Sequence, residues 1–179
     1  MTAIVGLIHG DRVYMGADSR SVRDWDQTPL IAPKIHRIGP YVLGTCGSLR
    51  SLQLVQYAFR PVEPSGDLTA FLATVFVADL QATLKNGGYA TTVNDQEFNT
   101  DSMVMVGVHG RLFTIDAGYA VTESARSYAA MGSGEDLALG AMYVTDGQAP
   151  KHRIRQALSA AAEFNAGVGE PFTILSVRY

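Results

Sequence analysis

Thr2 is the residue of this sequence whose position most directly suggests chemistry. It follows Met1 and opens an apolar run over residues 3–8, which predicts a buried strand. Once Met1 is removed, Thr2 carries both a hydroxyl and a free α-amine, and the amine can act as general base for the hydroxyl. The ordinary pKa of an α-amine is about 7.7–8.0, and a neighbouring cation would lower it further. Thr2 is therefore a candidate nucleophile, although many proteins begin with Met-Thr.

Asp18 and Lys34 are the charged residues that would complete such a site. Asp18 ends a second predicted strand, residues 13–18, and Lys34 follows a polar loop over residues 19–27. A buried lysine on its own would lose its charge, whereas an adjacent aspartate keeps it protonated and able to tune the threonine. Taken singly, Asp18 has an alternative interpretation as a turn cap and Lys34 as a solvated strand residue.

The other residues that often carry chemistry form no known motif. The four histidines are scattered, and the single cysteine, Cys46, is typical of a small buried residue. The sequence contains no G-x-S-x-G, H-E-x-x-H, P-loop or G-x-G-x-x-G pattern. We therefore expect neither a metal nor a cofactor, and one cysteine excludes a disulfide framework.

Composition predicts a single globular domain over residues 1–179. Hydrophobic residues make up 47% of the chain and charged residues only 17%, against an average of about 25%. The net charge of −3 argues against nucleic-acid and membrane-surface partners, and the low charge fraction favours contact with other subunits. The N-terminus lacks the features of a secretory signal, and the longest uncharged apolar stretch, between Asp67 and Asp79, is short for a membrane span. We expect a soluble, cytoplasmic protein.

The predicted elements positioning these residues come in separate blocks of strands and helices. Two helices are expected over residues 49–59, with Ser48 as N-cap, and over residues 67–85. A third is expected to begin at a capping box that starts at Ser133, and a fourth at Pro150. Residues 89–99 are predicted to form a loop. The predicted strands cover residues 3–8, 13–18, 34–38, 41–44, 103–108, 111–115, parts of 120–130, and 172–177. Such segregation favours an α+β fold with antiparallel sheets. We expect a four-layer αββα sandwich, in which two stacked sheets carry helix pairs on both outer faces.

The order of short motifs along the chain resembles one known family. The pattern T-x-I-V-G, then A-D-S-R-S, K-I, G-T-x-G and G-S-G extends from Thr2 to Gly134, and the likeness continues to about Asn165. It resembles the catalytic β-type subunits of the proteasome and the HslV-like peptidases, which are N-terminal-nucleophile threonine hydrolases. The resemblance implies the same sandwich fold, with Thr2 as the nucleophile, Lys34 as the cation that tunes it, and Asp18 as the carboxylate that holds the lysine.

The resemblance also assigns supporting roles near the nucleophile. The backbone N–H of Gly47 is similar in position to the oxyanion donor, with Ser48 as the alternative. Ser133 resembles the serine beside the threonine amine, a role that is compatible with capping a helix. The family's final aspartate and serine fall at Asn165 and Val168, where the chain departs from the pattern. Glu163 is the alternative carboxylate.

Substrate and partners follow from the same resemblance. It implies hydrolysis of peptides or unfolded proteins within a homo-oligomeric ring, with an ATP-driven unfoldase as a further possible partner. The residues implied for the first specificity pocket are Ser21, Ala32, His36, Thr45 and Leu49. Two alternatives remain open: a catalytically silent structural subunit of the ring, and a small-molecule amidohydrolase with the same nucleophile.

Overall fold

The computed structural model describes residues 1–24, 26–93, 96–98 and 102–179. Within them, strands alternate in blocks with helices, so the predicted α+β class is confirmed. The helices are α1 (Leu49–Tyr57), α2 (Leu68–Asn86, with a π-helical turn at Leu72–Phe76), α3 (Glu135–Val144) and α4 (Pro150–Phe164). The strands are β1 (Ile4–His9), β2 (Arg12–Ala17), β3 (Arg20–Arg23), β4 (Asp26–Pro29), β5 (Ile35–Ile38), β6 (Tyr41–Cys46), β7 (Thr91–Val93), β8 (Gln96–Phe98), β9 (Met103–Val108), β10 (Arg111–Ile115), β11 (Val121–Glu123), β12 (Tyr128–Met131) and β13 (Thr173–Arg178).

Two segments predicted as loops contain short hairpins instead. Strands β3 and β4 pair within and beyond the predicted loop 19–27, and β7 pairs with β8 inside the predicted loop 89–99. Strand β4 is exposed along its whole length, so no apolar alternation marks it in the sequence. Residues 94–95 and 99 of the second predicted loop lie outside the described residues.

The main strands form two antiparallel sheets. The first has the order β12-β1-β2-β13, and the second has the order β11-β10-β9-β6-β5. In the first sheet Ile4 pairs with Ala17 on β2 and with Met131 on β12. The start of β1 therefore lies beside the ends of β2 and β12, so the residues that flank these strand ends are close together although they are far apart in the sequence.

Apolar side chains form three clusters that relate the sheets to the helices. Alternate residues of β1 point to opposite faces, as the two-residue period of a strand requires. Ile4 belongs to a cluster with side chains of both sheets, such as Met15 and Met105. Val5 belongs to a second cluster with α3 and α4, including Ile154. The third cluster joins the five-stranded sheet to α1 and α2, and it contains Tyr41, Leu43, Val55, Phe59, Leu72, Phe76, Leu80, Leu84 and Val106.

Helix α2 is the longest apolar helix among the described residues. Its 19 residues are long and apolar enough to cross a membrane by length and composition alone. A helix that packs in a protein core passes the same test, and Phe76, Leu80 and Leu84 of α2 are fully or almost fully buried. The test therefore assigns no membrane span by itself.

Candidate active site

The residues predicted to act together lie where several elements end at one edge of the molecule. Thr2 lies two residues before the start of β1, and Asp18 directly follows β2, its hairpin partner. Lys34 directly precedes β5, and Ser133 lies two residues after Met131, the last residue of β12. Because β1 pairs with both β2 and β12, the sheet register brings Thr2, Asp18 and Ser133 together.

Asp18 and Lys34 form a buried ion pair. The Lys34 Nζ lies 2.8 Å from the Asp18 Oδ1, and the two residues are 3% and 1% exposed. Backbone N–H groups of Ala3, Arg20 and Gly169 also donate to the Asp18 carboxylate, at 2.9–3.2 Å. Such a set of donors satisfies a buried charge, so the alternative of Asp18 as a simple turn cap does not describe its surroundings.

Lys34 reaches the hydroxyl of Thr2. Its Nζ donates to the Thr2 Oγ1 at 3.0 Å and to the backbone oxygen of Arg20 at 2.7 Å. Together with Asp18, these are the three short acceptors of the ammonium group, and the Met1 backbone oxygen accepts from it at 3.5 Å. Burial lowers the pKa of Lys34 below its ordinary value of 10.5, and the charge of Asp18 opposes that shift. The ion pair thus places the Lys34 amino group against the Thr2 hydroxyl.

Ser133 lies beside the backbone nitrogen of Thr2. The Thr2 N–H donates to the Ser133 Oγ at 3.1 Å. The capping box predicted for Ser133 is wrong: Gly134 is the N-cap of α3, and it has no side-chain capping bond. The Ser133 hydroxyl is engaged with Thr2, and the turn places the Gly134 N–H on the Thr2 carbonyl oxygen at 3.2 Å.

Gly132, which sequence reasoning did not select, makes that approach possible. Its φ of +94° lies in the left-handed region, and a Cβ there would stand 2.4 Å from the Thr2 carbonyl oxygen. The motif G-S-G around Ser133 contained the signal, because a glycine next to a site residue often permits close backbone approach.

Asn165 is the C-cap of α4, and its side chain contacts the backbone of Ser133. Its Nδ2 donates to the Ser133 backbone oxygen at 2.6 Å, and its Oδ1 accepts from the Gly167 N–H at 2.9 Å. Val168 is fully buried in the apolar cluster beneath α3 and α4. Glu163 is exposed on the last turn of α4. The structure therefore brings Asn165 into contact with Ser133, whereas Val168 serves the core.

Gly47 and Ser48 differ in what their backbone N–H groups contact. The Ser48 N–H donates to the Ser102 Oγ at 3.4 Å, and the Ser48 hydroxyl caps α1, as the sequence predicted. Gly47 is exposed at the mouth of the cavity beside Thr2, with a φ of +106°. Both residues line that cavity, so Gly47 as the oxyanion donor stays a prediction, with Ser48 as its alternative.

Comparison with known proteins gives the fold a name. No protein-family sequence model and no curated protein sequence matches the chain. Among solved structures, BPH from Thiobacillus denitrificans in complex with epoxomicin superposes with a TM-score of 0.82 at 24% identity, over 99% of this chain and 98% of BPH. HslV from Trypanosoma brucei gives a TM-score of 0.71 at 19% identity, over 99% of this chain and 100% of HslV. The chain has the proteasome-like fold of HslV. The predicted resemblance is confirmed at the level of the fold.

A third structure shows the same likeness. Anbu, an ancestral beta-subunit from Yersinia bercovieri, gives a TM-score of 0.69 at 14% identity, over 99% of this chain and 82% of Anbu. Sequence identities this low carry the fold alone, so the chemistry of this HslV-like chain has to be argued from its own residues.

A cavity of about 270 Å³ opens beside Thr2 and Lys34 in the HslV-like fold. Three of the five residues expected in the specificity pocket line it: Ser21, Thr45 and Leu49. Ala32 is exposed outside the cavity lining, and His36 is buried on β5, close to the backbone of Val55. Burial lowers the pKa of His36 to about 4, which keeps the imidazole neutral near pH 7.

Arg20 belongs to the motif A-D-S-R-S, but the sequence alone assigns it no role. Its backbone oxygen accepts from Lys34, and its guanidinium donates to the Ala166 backbone oxygen at 3.1 Å. The guanidinium lies against Gly169, where a Cβ would come within 2.3–2.5 Å of it. Arg20 thereby connects β3 to the turn after α4.

No group of three or more His, Cys, Asp or Glu side chains is arranged for a metal ion among the described residues.

Proposed function

We propose that this chain is a threonine-type peptidase that hydrolyses peptide bonds with Thr2, after removal of Met1, as its N-terminal nucleophile. The observation that carries the proposal is the buried contact of Lys34 with both Thr2 and Asp18, at 3.0 and 2.8 Å. A threonine hydroxyl beside a strand end does not need a buried cation for stability, and desolvating the cation is costly. Its presence is therefore best explained by chemistry at the Thr2 hydroxyl.

Met1 determines whether the site can act. While Met1 is attached, the Thr2 nitrogen is an amide without a basic lone pair, and the Thr2 hydroxyl donates to the Met1 carbonyl oxygen at 2.5 Å. Removal of Met1 would leave a free amine beside the hydroxyl of the same residue. A chain that retains Met1 would support the alternative of a silent subunit.

The reaction would proceed in two steps with the amine as proton carrier. In acylation, the Thr2 Oγ1 bonds to the substrate carbonyl carbon while its proton moves to the amine; the C–N bond then breaks, and that proton passes to the departing amine. In deacylation, the same amine takes a proton from water, and the resulting hydroxide attacks the ester carbon; the bond from that carbon to Oγ1 then breaks, and the amine returns its proton to Oγ1. The products are a carboxylic acid and the regenerated Thr2 hydroxyl.

Charge stabilisation would come from two groups. The Lys34 ammonium holds negative charge that develops on the Thr2 oxygen, and the Gly47 N–H would donate to the oxyanion formed from the substrate carbonyl. Ser21, Thr45 and Leu49, which line the adjacent cavity, would contact the substrate side chain at the cleavage point. His36 and Ala32 are weaker members of that pocket, because neither lines the cavity.

Assembly and architecture form part of the same proposal. The three apolar clusters support the four-layer αββα sandwich. Exposed apolar side chains on α3 and α4, including Tyr143, Val144 and Phe164, support a homo-oligomeric ring. We propose peptides or unfolded proteins as substrates and an ATP-driven unfoldase as a further partner. We also propose a cytoplasmic location, and all three rest on the likeness to HslV.

Intact-mass measurement combined with a peptidase assay tests this function. Purified protein should lack the mass of Met1 and should hydrolyse a fluorogenic peptide amide. Thr2→Ser should keep part of the activity because it preserves hydroxyl and amine, whereas Thr2→Ala should have none while retaining its circular dichroism spectrum. Epoxomicin, the ligand of the BPH structure, should raise the melting temperature of the wild type and not of Thr2→Ala.

Three results would contradict the proposal. Equal hydrolysis by wild type and Thr2→Ala would remove Thr2 from the mechanism. Retention of Met1 in an inactive protein would favour the silent subunit. Hydrolysis confined to small amides would favour the amidohydrolase.

A further inference from the structure

Asn165 holds Ser133 through both ends of its side-chain amide. The Nδ2 donates to the Ser133 backbone oxygen at 2.6 Å, and the Oδ1 accepts from the Gly167 N–H at 2.9 Å. The two partners fix the orientation of the amide, because an N–H group needs an acceptor and a carbonyl oxygen needs a donor. An ionised carboxylate could serve Gly167 but would set an anionic oxygen against the Ser133 oxygen.

The turn that follows Asn165 is fixed to the rest of the site. The Val168 N–H donates to the Asn165 backbone oxygen at 3.0 Å, and the Gly169 N–H donates to Asp18 at 3.2 Å. The Arg20 guanidinium donates to the Ala166 oxygen. Asn165 therefore sits on a rigid support, and its Nδ2 transmits that support to Ser133.

Ser133 and Gly134 in turn contact Thr2 at two points. Its Oγ accepts from the Thr2 nitrogen at 3.1 Å, and the next residue, Gly134, donates to the Thr2 carbonyl oxygen at 3.2 Å. A displacement of Ser133 would thus move the acceptor that orients the nitrogen. That nitrogen is the general base of the proposed reaction, so small shifts there have large effects on rate.

We infer that Asn165 is a positioning residue whose neutral amide, donating to Ser133 and accepting from Gly167, sets the orientation of the Thr2 amine, and that a carboxylate cannot replace it in this chain. The inference rests on the proposed function. By residue type alone, asparagine in place of the family's aspartate would suggest a less well held amine, and the contacts of Asn165 argue for the opposite.

Val168 supports the same conclusion from the packing side. Its side chain is fully buried and belongs to the same apolar cluster as Ala3 and Ala161. A hydroxyl at this position would enter an apolar environment. Neither of the two residues that depart from the family pattern is therefore a defect that a return to the family residue would repair.

Kinetics on four proteins with Met1 removed test the inference. Asn165→Asp is nearly isosteric and keeps the acceptor for Gly167 but loses the donor to Ser133. We expect it to lower kcat about tenfold near pH 8, with KM within twofold of wild type. Asn86→Asp, which adds the same charge at an exposed position on α2, should match wild type. Asn165→Leu should lower kcat at least as much as Asn165→Asp.

The route through Ser133 has its own test. In a Ser133→Ala background, adding Asn165→Asp should change kcat less than twofold, because the hydroxyl that Asn165 positions is already gone. If the loss of kcat in the double variant equals the product of the losses in the two single variants, the inference is overturned. So would an Asn165→Asp variant with wild-type or higher kcat.

Hydrogen-exchange mass spectrometry gives a readout that does not depend on activity. Peptides covering residues 132–136, which include the Gly134 N–H, should exchange faster in Asn165→Asp than in wild type. Peptides covering 165–169 should change only in Asn165→Leu, since Asp still accepts from Gly167. Equal exchange of residues 132–136 in wild type and Asn165→Asp would overturn the inference. Inactivity of the wild type would instead count against the proposed function, and the exchange data would still decide the role of Asn165.

Discussion

The Nζ of Lys34 lies 3.0 Å from the Oγ1 of Thr2, and both side chains are almost completely buried. The ammonium divides its other protons between Asp18 and the Arg20 backbone oxygen. These three acceptors lie at 2.7–3.0 Å, so the ammonium points one of its protons at the Thr2 hydroxyl. The first two predictions follow from this geometry.

Removing the cation should affect turnover far more than it affects binding. Lys34→Ala should lower kcat by a factor on the order of 10² or more, because the positive charge tunes the amine and stabilises charge in the transition state. Lys151→Ala, at an exposed position on α4, is the matched control and should keep the wild-type rate. Steady-state kinetics with a fluorogenic peptide measure both. A Lys34→Ala enzyme with wild-type kcat would make the contact with Thr2 irrelevant to catalysis.

The alkaline limb of the pH–rate profile should report the charge state of Lys34. Burial lowers the pKa of Lys34, so activity should fall at a pH below 10.5, the ordinary value for lysine. Asp18 raises that pKa, so Asp18→Asn should move the alkaline limb to still lower pH and reduce stability, since three backbone N–H groups lose a charged acceptor. Rates of both proteins between pH 7 and about 10.5 decide the matter. Coincident alkaline limbs would contradict the assignment.

Gly132 should tolerate no side chain. In Gly132→Ala the new Cβ would meet the Thr2 carbonyl oxygen at 2.4 Å, so Thr2 or the turn must move, and we expect kcat to fall about 10². Gly147→Ala is the matched control: its φ is +78°, and a Cβ there meets no described atom within 4 Å. Both variants carry the strain of a positive φ, of order 1 kcal/mol, so only the clash with Thr2 distinguishes them. Similar activities in the two variants would show that Thr2 is not held by this turn.

His36 should make the fold sensitive to acid. Burial lowers the pKa of His36 to about 4, so as pH falls from about 6.5 the unfolded chain binds a proton that the folded chain rejects. The native state should lose up to about 3 kcal/mol by pH 4 from this residue. Urea denaturation of wild type and His36→Gln, followed between pH 7 and 4, measures the loss as a difference in slope. His152→Gln, at an exposed position, should follow the wild type; a His36→Gln curve parallel to wild type would contradict the assignment.

Assembly is testable without activity. Each subunit has a mass of 19.2 kDa, and light scattering should give a closed assembly of about six subunits or more. Replacing Tyr143 and Phe164, both mostly exposed, with serine should weaken association if those helices contribute to contacts between subunits. A monomer at micromolar concentration would overturn the ring and weaken the case for protein substrates.

The sequence by itself determined the α+β class of the fold and indicated Thr2, Asp18 and Lys34 as candidate site residues. Strands such as β1 and β9 are apolar and β-branched, so their burial could be predicted from composition alone. Thr2, Asp18 and Lys34 could be selected because Thr2 follows Met1 and because the order of short motifs resembles one known family; taken singly, each residue had an ordinary alternative. Nothing local marks β4, since its side chains are all exposed and its pairing depends on backbone hydrogen bonds.

The tertiary structure alone decided how the rest of the site is connected. The hydroxyl of Ser133 could have capped α3 or faced Thr2, and only the pairing of β12 with β1 brings it to the Thr2 nitrogen. Judged by residue type, Asn165 is only an uncharged residue where the family pattern has an aspartate. Its value depends on which atoms surround it: one carbonyl oxygen and one N–H group, contributed by residues 32 positions before it and two after it. Hydrogen-bond complementarity of this kind is a property of three-dimensional contact, and no sequence spacing encodes it.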